Sequence, residues 1–382
     1  MKKYFIALLL SLPLIGVLKS QDQNIEVNND APVIELVFCL DATGSMSGLI
    51  NTAKEKIWDI VSVTSQCNPE PVIRLGIIFY RDLQDEFVTK TYPLTTNIDS
   101  IYSELLSIEA QGGGDHPESV NQALNEAVTK MGWKEGENIY RTIFLVGDCP
   151  PHMDYKQDIK YPTSCKLANE NGIVINTIKL GVQCSDAIHH FKKIAKLTNG
   201  KYKQLGQNAD DVIIETPLDD SIYYFSNKID VSKLYYGSSK EQKLMNKKKE
   251  NALSIYNNSS LNSVASRAKF NLSKSGNRNL FGKKELIEDL ISNKIKLENI
   301  NENELPDEIK TINKNEREKY LKLLQKQRAE NISKLKELTI KREQFISKKM
   351  KQDSTRTLFS EEIFDIIKDQ AANKGVKIID EK

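Results

Sequence analysis

The chain has 382 residues, more than one domain of ordinary size needs, and its charge is close to balanced at +2. The balance hides an asymmetry: residues 231–382 carry a net +11 and the first 230 a net −9, so two regions of different character are expected. On the basic side lysines and glutamates are interspersed in a way that reads as solvated helix faces, which argues against a nucleic-acid partner.

Lys2 and Lys3 precede the apolar run from Tyr4 to Val17, and the small Ser20 offers a cleavage position before Gln21. Residues 1–20 therefore read as an export signal, although Leu18 and Lys19 make the cleavage site imperfect. The run is too short and too poorly flanked for a comfortable membrane span, no later segment could supply one, and no cysteine follows it to carry a lipid. The expectation is an exported protein, periplasmic or extracellular, with no stable membrane span once the signal is removed. Export places the five cysteines where disulfides persist, and an odd number leaves at least one unpaired. Cys39 is the candidate, because it sits inside an apolar strand. No C-x-x-C pair points to structural zinc.

After a polar lead-in (21–32), Val33 to Leu40 is almost wholly apolar, as a strand buried on both faces would be. It runs into Asp41-Ala42-Thr43-Gly44-Ser45. The three oxygen-bearing side chains alternate at the carboxyl end of the strand, the rim where open α/β sheets bind ligands. One carboxylate and two hydroxyls, with no soft atom, suit a hard divalent cation. A crossover helix follows over 49–64, with Ile50, Ala53, Ile57, Ile60 and Val61 at helical spacing. Val72 to Tyr80 is a second strong strand, Phe87 to Tyr92 a weaker one suited to an antiparallel edge, and Asn97 to Ile108 an amphipathic helix.

Gln111-Gly112-Gly113-Gly114-Asp115-His116-Pro117-Glu118 leads into a helix over 119–131. The glycines permit close backbone approach, but the spacing and the missing lysine rule out a phosphate-binding P-loop. Arg141 to Gly147 is another buried strand, ending in Asp148-Cys149-Pro150-Pro151-His152. A helix over 155–171, a strand over 173–180, a helix over 186–197 and a short strand over 201–205 complete the alternation. This order predicts an α/β fold, doubly wound around a mostly parallel central sheet, followed by a charged α-helical region.

The Asp41 to Ser45 stretch resembles the first loop of a von Willebrand factor type A domain, whose metal-ion-dependent adhesion site uses D-x-S/T-x-S plus residues from two later loops. The order of elements over 33–205 is similar to that family's throughout, and 33–230 is the expected extent of the domain. The resemblance implies that Asp41, Thr43 and Ser45 are metal ligands and that Asp148 supplies the acid of the third loop, which in the family usually acts through water. The second loop departs from the family's usual threonine. Asp115, directly after the glycines, is the expected ligand there, with Glu118 the alternate.

What the resemblance implies is a non-enzymatic, metal-dependent binding module. It would hold Mg²⁺, or else Mn²⁺ or Ca²⁺, and an acidic group of a protein partner would complete the coordination. Acids clustered without a cation would repel one another. Two other readings stay open: a metal-dependent hydrolase at the same rim with His116 or His152 as ligand or base, and a scaffold in which the metal only stabilises loops. A thiol-protease reading of Cys149 with His152 lacks a third group to orient the base.

Tyr223-Tyr224-Phe225 and Tyr235-Tyr236 read as packing clusters rather than a partner patch. Residues 231–284 read as linker and loosely ordered surface, because Lys240 to Glu250 is a charged run and 257–266 and 274–282 are rich in turn formers. The helical region then covers 285–382. It holds a short helix over 285–291 and a long helical stretch from Leu305 to Met350. Leu321, Leu324, Ile332, Leu335, Leu338 and Phe345 approach a heptad stripe, suited to a coiled coil or to a helix laid on the domain. A last helix over 361–373, with Ile363, Phe364, Ile366 and Ile367, is expected to dock.

Overall fold

The computed structural model describes residues 31–114, 116–209, 211–350, 358–374 and 377–378. The expected export signal and Asp115 lie outside them. The first half runs β1 (Val33–Asp41), α1 (Ser47–Thr64), the two-residue β2 (Cys67–Asn68), β3 (Val72–Tyr80), β4 (Thr89–Thr95), α2 (Ile98–Ser107), α3 (Val120–Thr129), β5 (Ile139–Gly147), α4 (Tyr161–Glu170), β6 (Ile173–Leu180), α5 (Ala187–Leu197) and β7 (Tyr202–Leu205). Six strands form one sheet in the order β4-β3-β1-β5-β6-β7, parallel except for β4, which runs antiparallel at one edge.

Side chains alternate across a strand, so β1 feeds two cores. Ile34, Leu36, Phe38 and Leu40 pack with residues of α1 and α2, and Val37 and Cys39 with residues of α3, α4 and α5. Both faces are covered, which is why every residue of β1 and β3 is buried. Two helices start later than their periodicity suggests. α4 begins at Tyr161 with Pro162 in its first turn, and 150–160 is loop. α3 begins at Val120 because the backbone just before it is bound to another loop: Glu118 donates to the Pro150 carbonyl (2.8 Å) and His152 to the Glu118 carbonyl (3.1 Å).

The second half is α6 (Asp219–Val231), α7 (Ser239–Asn258), α8 (Leu261–Asn271), α9 (Lys274–Phe281), α10 (Leu286–Ile291), α11 (Asp307–Lys310), α12 (Lys314–Met350) and α13 (Phe359–Ala372). The expectation of a linker over 231–284 is overturned, since α7, α8 and α9 occupy most of it. Serines in or beside these stretches are helix caps. Ser238 forms a capping box with Glu241, the Ser260 hydroxyl accepts from the Ser263 amide, and the Ser273 hydroxyl accepts from the Gly276 amide. Between the caps, Ala252, Ile255, Tyr256, Val264, Ala268 and Phe270 are buried at helical spacing.

These helices pack on the sheet domain. Trp58 of α1 is fully buried between Tyr102 of α2 (ring centroids 5.3 Å apart) and Phe270 of α8 (5.9 Å). Phe359, Ile363, Ile366 and Ile367 of α13 join the same core, as expected of an apolar terminal helix. Within α12, Leu335 and Leu338 pack with residues of α6, α8 and α9, so part of its apolar stripe is spent inside the chain. Tyr235 is buried and Tyr223 stacks edge-on against Tyr256, whereas Tyr224 is half exposed. Among the described residues no helix is long and apolar enough to cross a membrane.

Candidate metal centre

Five connections line a cleft at the carboxyl rim of the sheet. The first follows β1. Asp41 is fully buried, and its Oδ1 accepts from the Thr43 amide (2.9 Å) and from the Thr43 hydroxyl (2.6 Å). The Thr43 hydroxyl lies 3.5 Å from that of Ser45, which is exposed. The Asx-type closure explains the alternation: the carboxylate folds the turn with one oxygen and keeps the other free. The second connection, 108–119, lies against the first. Gly44 donates to the Gly112 carbonyl (3.1 Å) and Gln111 to the Ala42 carbonyl (3.0 Å). Gly113 has φ +83°, and a Cβ there would sit 3.2 Å from the Thr43 Cβ, so a larger residue would wedge the two loops apart.

The second connection also delivers Glu118, buried and drawn under the third loop by the two backbone bonds to Pro150 and His152. Asp148 follows β5 and is likewise buried. Its Oδ2 accepts from the Gln207 side chain (3.1 Å), beyond the end of β7. Thr43, Ser45, Glu118, Asp148, His116 and Gln207 line one cleft of about 620 Å³, and Asp41 lies beneath its floor. Of the expected residues, then, Thr43, Ser45 and Asp148 share the cleft with the alternate Glu118. Sequence reasoning missed Gln207, which gave no signal, and Asp85, which did. Asp85 lies in an acid-rich turn after β3, and its carboxylate accepts the Gly113 amide (3.1 and 3.2 Å).

The electrostatics are those of crowded like charges. Asp41 Oδ2, Glu118 Oε2 and Asp148 Oδ1 are buried and have no hydrogen-bond donor among the described residues. Burial first, and then the Asp148 charge, push the Asp41 carboxyl up to about 7 against the two hydrogen bonds from Thr43. Glu118 is pushed up to about 10 by burial, then by Asp41, Asp82 and Asp148. An oxygen donor set of this kind fits a hard divalent cation, whose charge would offset the repulsion among these acids.

His152 is elsewhere. It is buried and stacks on Tyr155 (3.7 Å between centroids). Its Nδ1 is 2.8 Å from the Asp154 carboxylate, its Nε2 is 3.5 Å from that of Asp82, and it does not line the cleft. His116 does line it and is exposed. The third loop is bridged to the connection after β6 by a Cys149–Cys184 disulfide, while Cys39, Cys67 and Cys165 are free and buried.

These features define an open, mostly parallel α/β domain with an acidic, oxygen-lined cleft at its carboxyl rim. The family model agrees with this architecture. Residues 35–217 match the family model of the von Willebrand factor A domain, a class of interaction module that is often metal-dependent. Von Willebrand factor A domain-containing protein 7 of Mus musculus is 34% identical over 126 residues, which are 32% of this chain and 14% of that protein. A putative ariadne-like RING finger protein of Acanthamoeba polyphaga mimivirus is 29% identical over 120 residues, 31% of this chain and 11% of that one. The matches thus span a small part of those relatives' own lengths. A solved structure of proximal thread matrix protein 1 from the mussel byssus, with a zinc-occupied MIDAS motif, aligns at a TM-score of 0.37 and 16% identity over 46% of this chain and 42% of that one.

Proposed function

We propose that the domain is an exported, divalent-cation-dependent protein-binding module whose cleft recognises an acidic group of a partner. The observation that carries this reading is the set of three buried, unpartnered carboxylate oxygens on Asp41, Glu118 and Asp148, contributed by three separate connections. Asp41, Thr43, Ser45, Glu118 and Asp148 would hold the ion, with Mg²⁺ the best match to an all-oxygen set and Mn²⁺ or Ca²⁺ the alternatives. A cation held there supplies an open coordination position for a partner carboxylate and offsets the mutual repulsion of the acids.

The chain's own residues do the rest. Thr43 fixes one Asp41 oxygen and so aims the other inward, Gln207 fixes one Asp148 oxygen, and Asp85 pins the glycine loop over the first turn. Around the cleft, exposed Ser45, Gln183 and His116 and the strongly exposed Val182 next to Gln183 offer a partner both polar and apolar contact. His152 sits behind its loop and does not face the cleft, which removes one of the two imidazoles a hydrolytic reading would use. The disulfide supports an oxidising compartment, in line with the leader.

Calorimetric titration of the full chain with Mg²⁺, together with capture of partners in Mg²⁺ and in EDTA, tests the proposal. Saturable Mg²⁺ binding that Asp41→Ala abolishes, with capture lost in EDTA, is expected. Capture that persists in excess EDTA, or Mg²⁺ binding unchanged in Asp41→Ala, overturns it.

A further inference from the structure

One cluster at the rim has a chemistry unlike the oxygen set. Cys149, Cys184 and His116 come from three different connections, yet one potential ligand atom from each lies within 4.8 Å of the others, and His116 Nδ1 is 3.7 Å from Cys184 Sγ. We propose that Cys149, Cys184 and His116 form a second, soft-metal site, of the kind that takes Zn²⁺, which opens when the Cys149–Cys184 bridge is reduced.

The donor set is two sulfurs and one imidazole nitrogen, which selects Zn²⁺ over the hard ions suited to Asp41 and Asp148. In a tetrahedral site with Zn–S bonds of about 2.3 Å the two sulfurs stand roughly 3.8 Å apart. The two Cα atoms stand 5.1 Å apart, so side-chain rotation alone can bring both sulfurs to the ligating separation. What keeps the ligands together once the bridge is gone is the rest of the rim. Lys179, fully buried, donates its Nζ to the carbonyls of Gly181 (3.0 Å) and Gln183, the Gly181 amide donates to Leu205 (2.9 Å), and the Ala187 amide donates to Cys184 itself (3.0 Å). The Glu118 backbone bonds to Pro150 and His152 tie the loop of Cys149 to the loop of His116 in the same way. The loops of Cys149 and His116 are thus cross-linked without the disulfide and that of Cys184 is held in shape by its own bonds and by Leu205, while His116 and Cys184 stand toward solvent, leaving a fourth position to water.

The opening step needs a dithiol. One of its thiolates attacks a bridge sulfur to give a mixed disulfide, and its second thiol displaces the protein sulfur. Two electrons and two protons thereby pass to Cys149 and Cys184, and the reductant leaves as a cyclic disulfide. Metal binding then releases both thiol protons to solvent, with the imidazole ligating as the neutral ring. The bridged form offers only the oxygen cleft, and the dithiol form offers both sites.

Co²⁺ is the probe. The full chain, reduced with dithiothreitol, desalted anaerobically and held in excess Mg²⁺, is titrated with Co²⁺ and then with Zn²⁺. The expected result is thiolate-to-cobalt charge-transfer absorption that saturates at one equivalent, is displaced by Zn²⁺ and is absent from the bridged protein. His116→Ala, an exposed position whose substitution leaves the core intact, should weaken Co²⁺ binding about ten-fold or more. Asp41→Ala should leave the absorption in place, which separates this site from the oxygen cleft. The inference falls if reduced protein with an unchanged circular dichroism spectrum gives no such absorption. It also falls if the Cys149→Ser/Cys184→Ser double variant gives the same absorption, or if His116→Ala binds Co²⁺ as the parent does.

Discussion

Asp41 at the rim and Asp99 on α2 are both completely buried acids, and their environments push them in opposite directions. Beneath the cleft floor Asp41 has Asp148 and Glu118 for neighbours, and its carboxyl rises to about 7. Where the helical half docks, burial also opposes the charge on Asp99, but Arg267 of α8 reverses the outcome. Its Nε and Nη2 donate to the two Asp99 oxygens (2.6 and 2.8 Å) and its Nη1 to Asp230 (2.8 Å), and both acids are held below the usual carboxylate range. Burial alone therefore does not distinguish a binding acid from a structural one. The sign of the nearest charge does: at the interface it is opposite and compensates the acids, and at the rim it is like and does not.

The contrast is sharpest when each centre loses its central group. Arg267→Met should destabilise the full chain by about 3–5 kcal/mol in urea unfolding, because it removes the charge that two buried carboxylates share. Asp41→Asn removes a charge from a crowded site and should leave the metal-free chain as stable as the parent or more so. A large loss there would mean that the rim acids are structural. Mg²⁺ at 100 times its dissociation constant should add about 2.7 kcal/mol to the parent, and EDTA should remove it, with no response in Asp41→Asn.

The interface also has a pH signature. Asp99 and Asp230 are depressed in the folded chain, so the unfolded chain binds more protons just below the ordinary carboxylate value. The contribution is fully present above the unfolded value of 3.8 and is lost as pH falls toward the lower folded values. Unfolding curves should steepen in pH over that acid window by up to about 1.4 kcal/mol per pH unit for each acid, and Arg267→Met should flatten them. The smallest effect concerns the helices between the two centres. Ser273→Ala removes the cap on α9 and should cost about 1 kcal/mol, whereas a loosely ordered linker would register nothing.

Much of the domain was legible in one dimension because each signal is local. A buried parallel strand is a continuous apolar run, and Asp41 and Asp148 each stand where such a run stops, so chain order alone sends them to the same rim. Thr43 and Ser45 follow because an Asx-type turn is closed within three residues. The position of Glu118 was not local. Glu118 is brought into the cleft by backbone bonds to Pro150 and His152, more than thirty positions away, and no residue type announces that pairing. The misreading of 231–284 has a similar cause, since serine serves turns and helix caps alike and only the packing of Ile255, Val264 and Phe270 into a shared core shows which.

By itself, then, the amino-acid order determined the alternation of strands and helices, the doubly wound class, and the acids and hydroxyls at the strand ends, all of which depend on periods of two and 3.6 and on turns a few residues long. Tertiary structure alone decided that Glu118 lines the cleft, that Cys149 pairs with Cys184, that α12 packs on the chain's own helices, and that Arg267 neutralises Asp99. Each of these is a contact between positions tens to hundreds of residues apart, and its energy exists only once the chain has closed the loops between them.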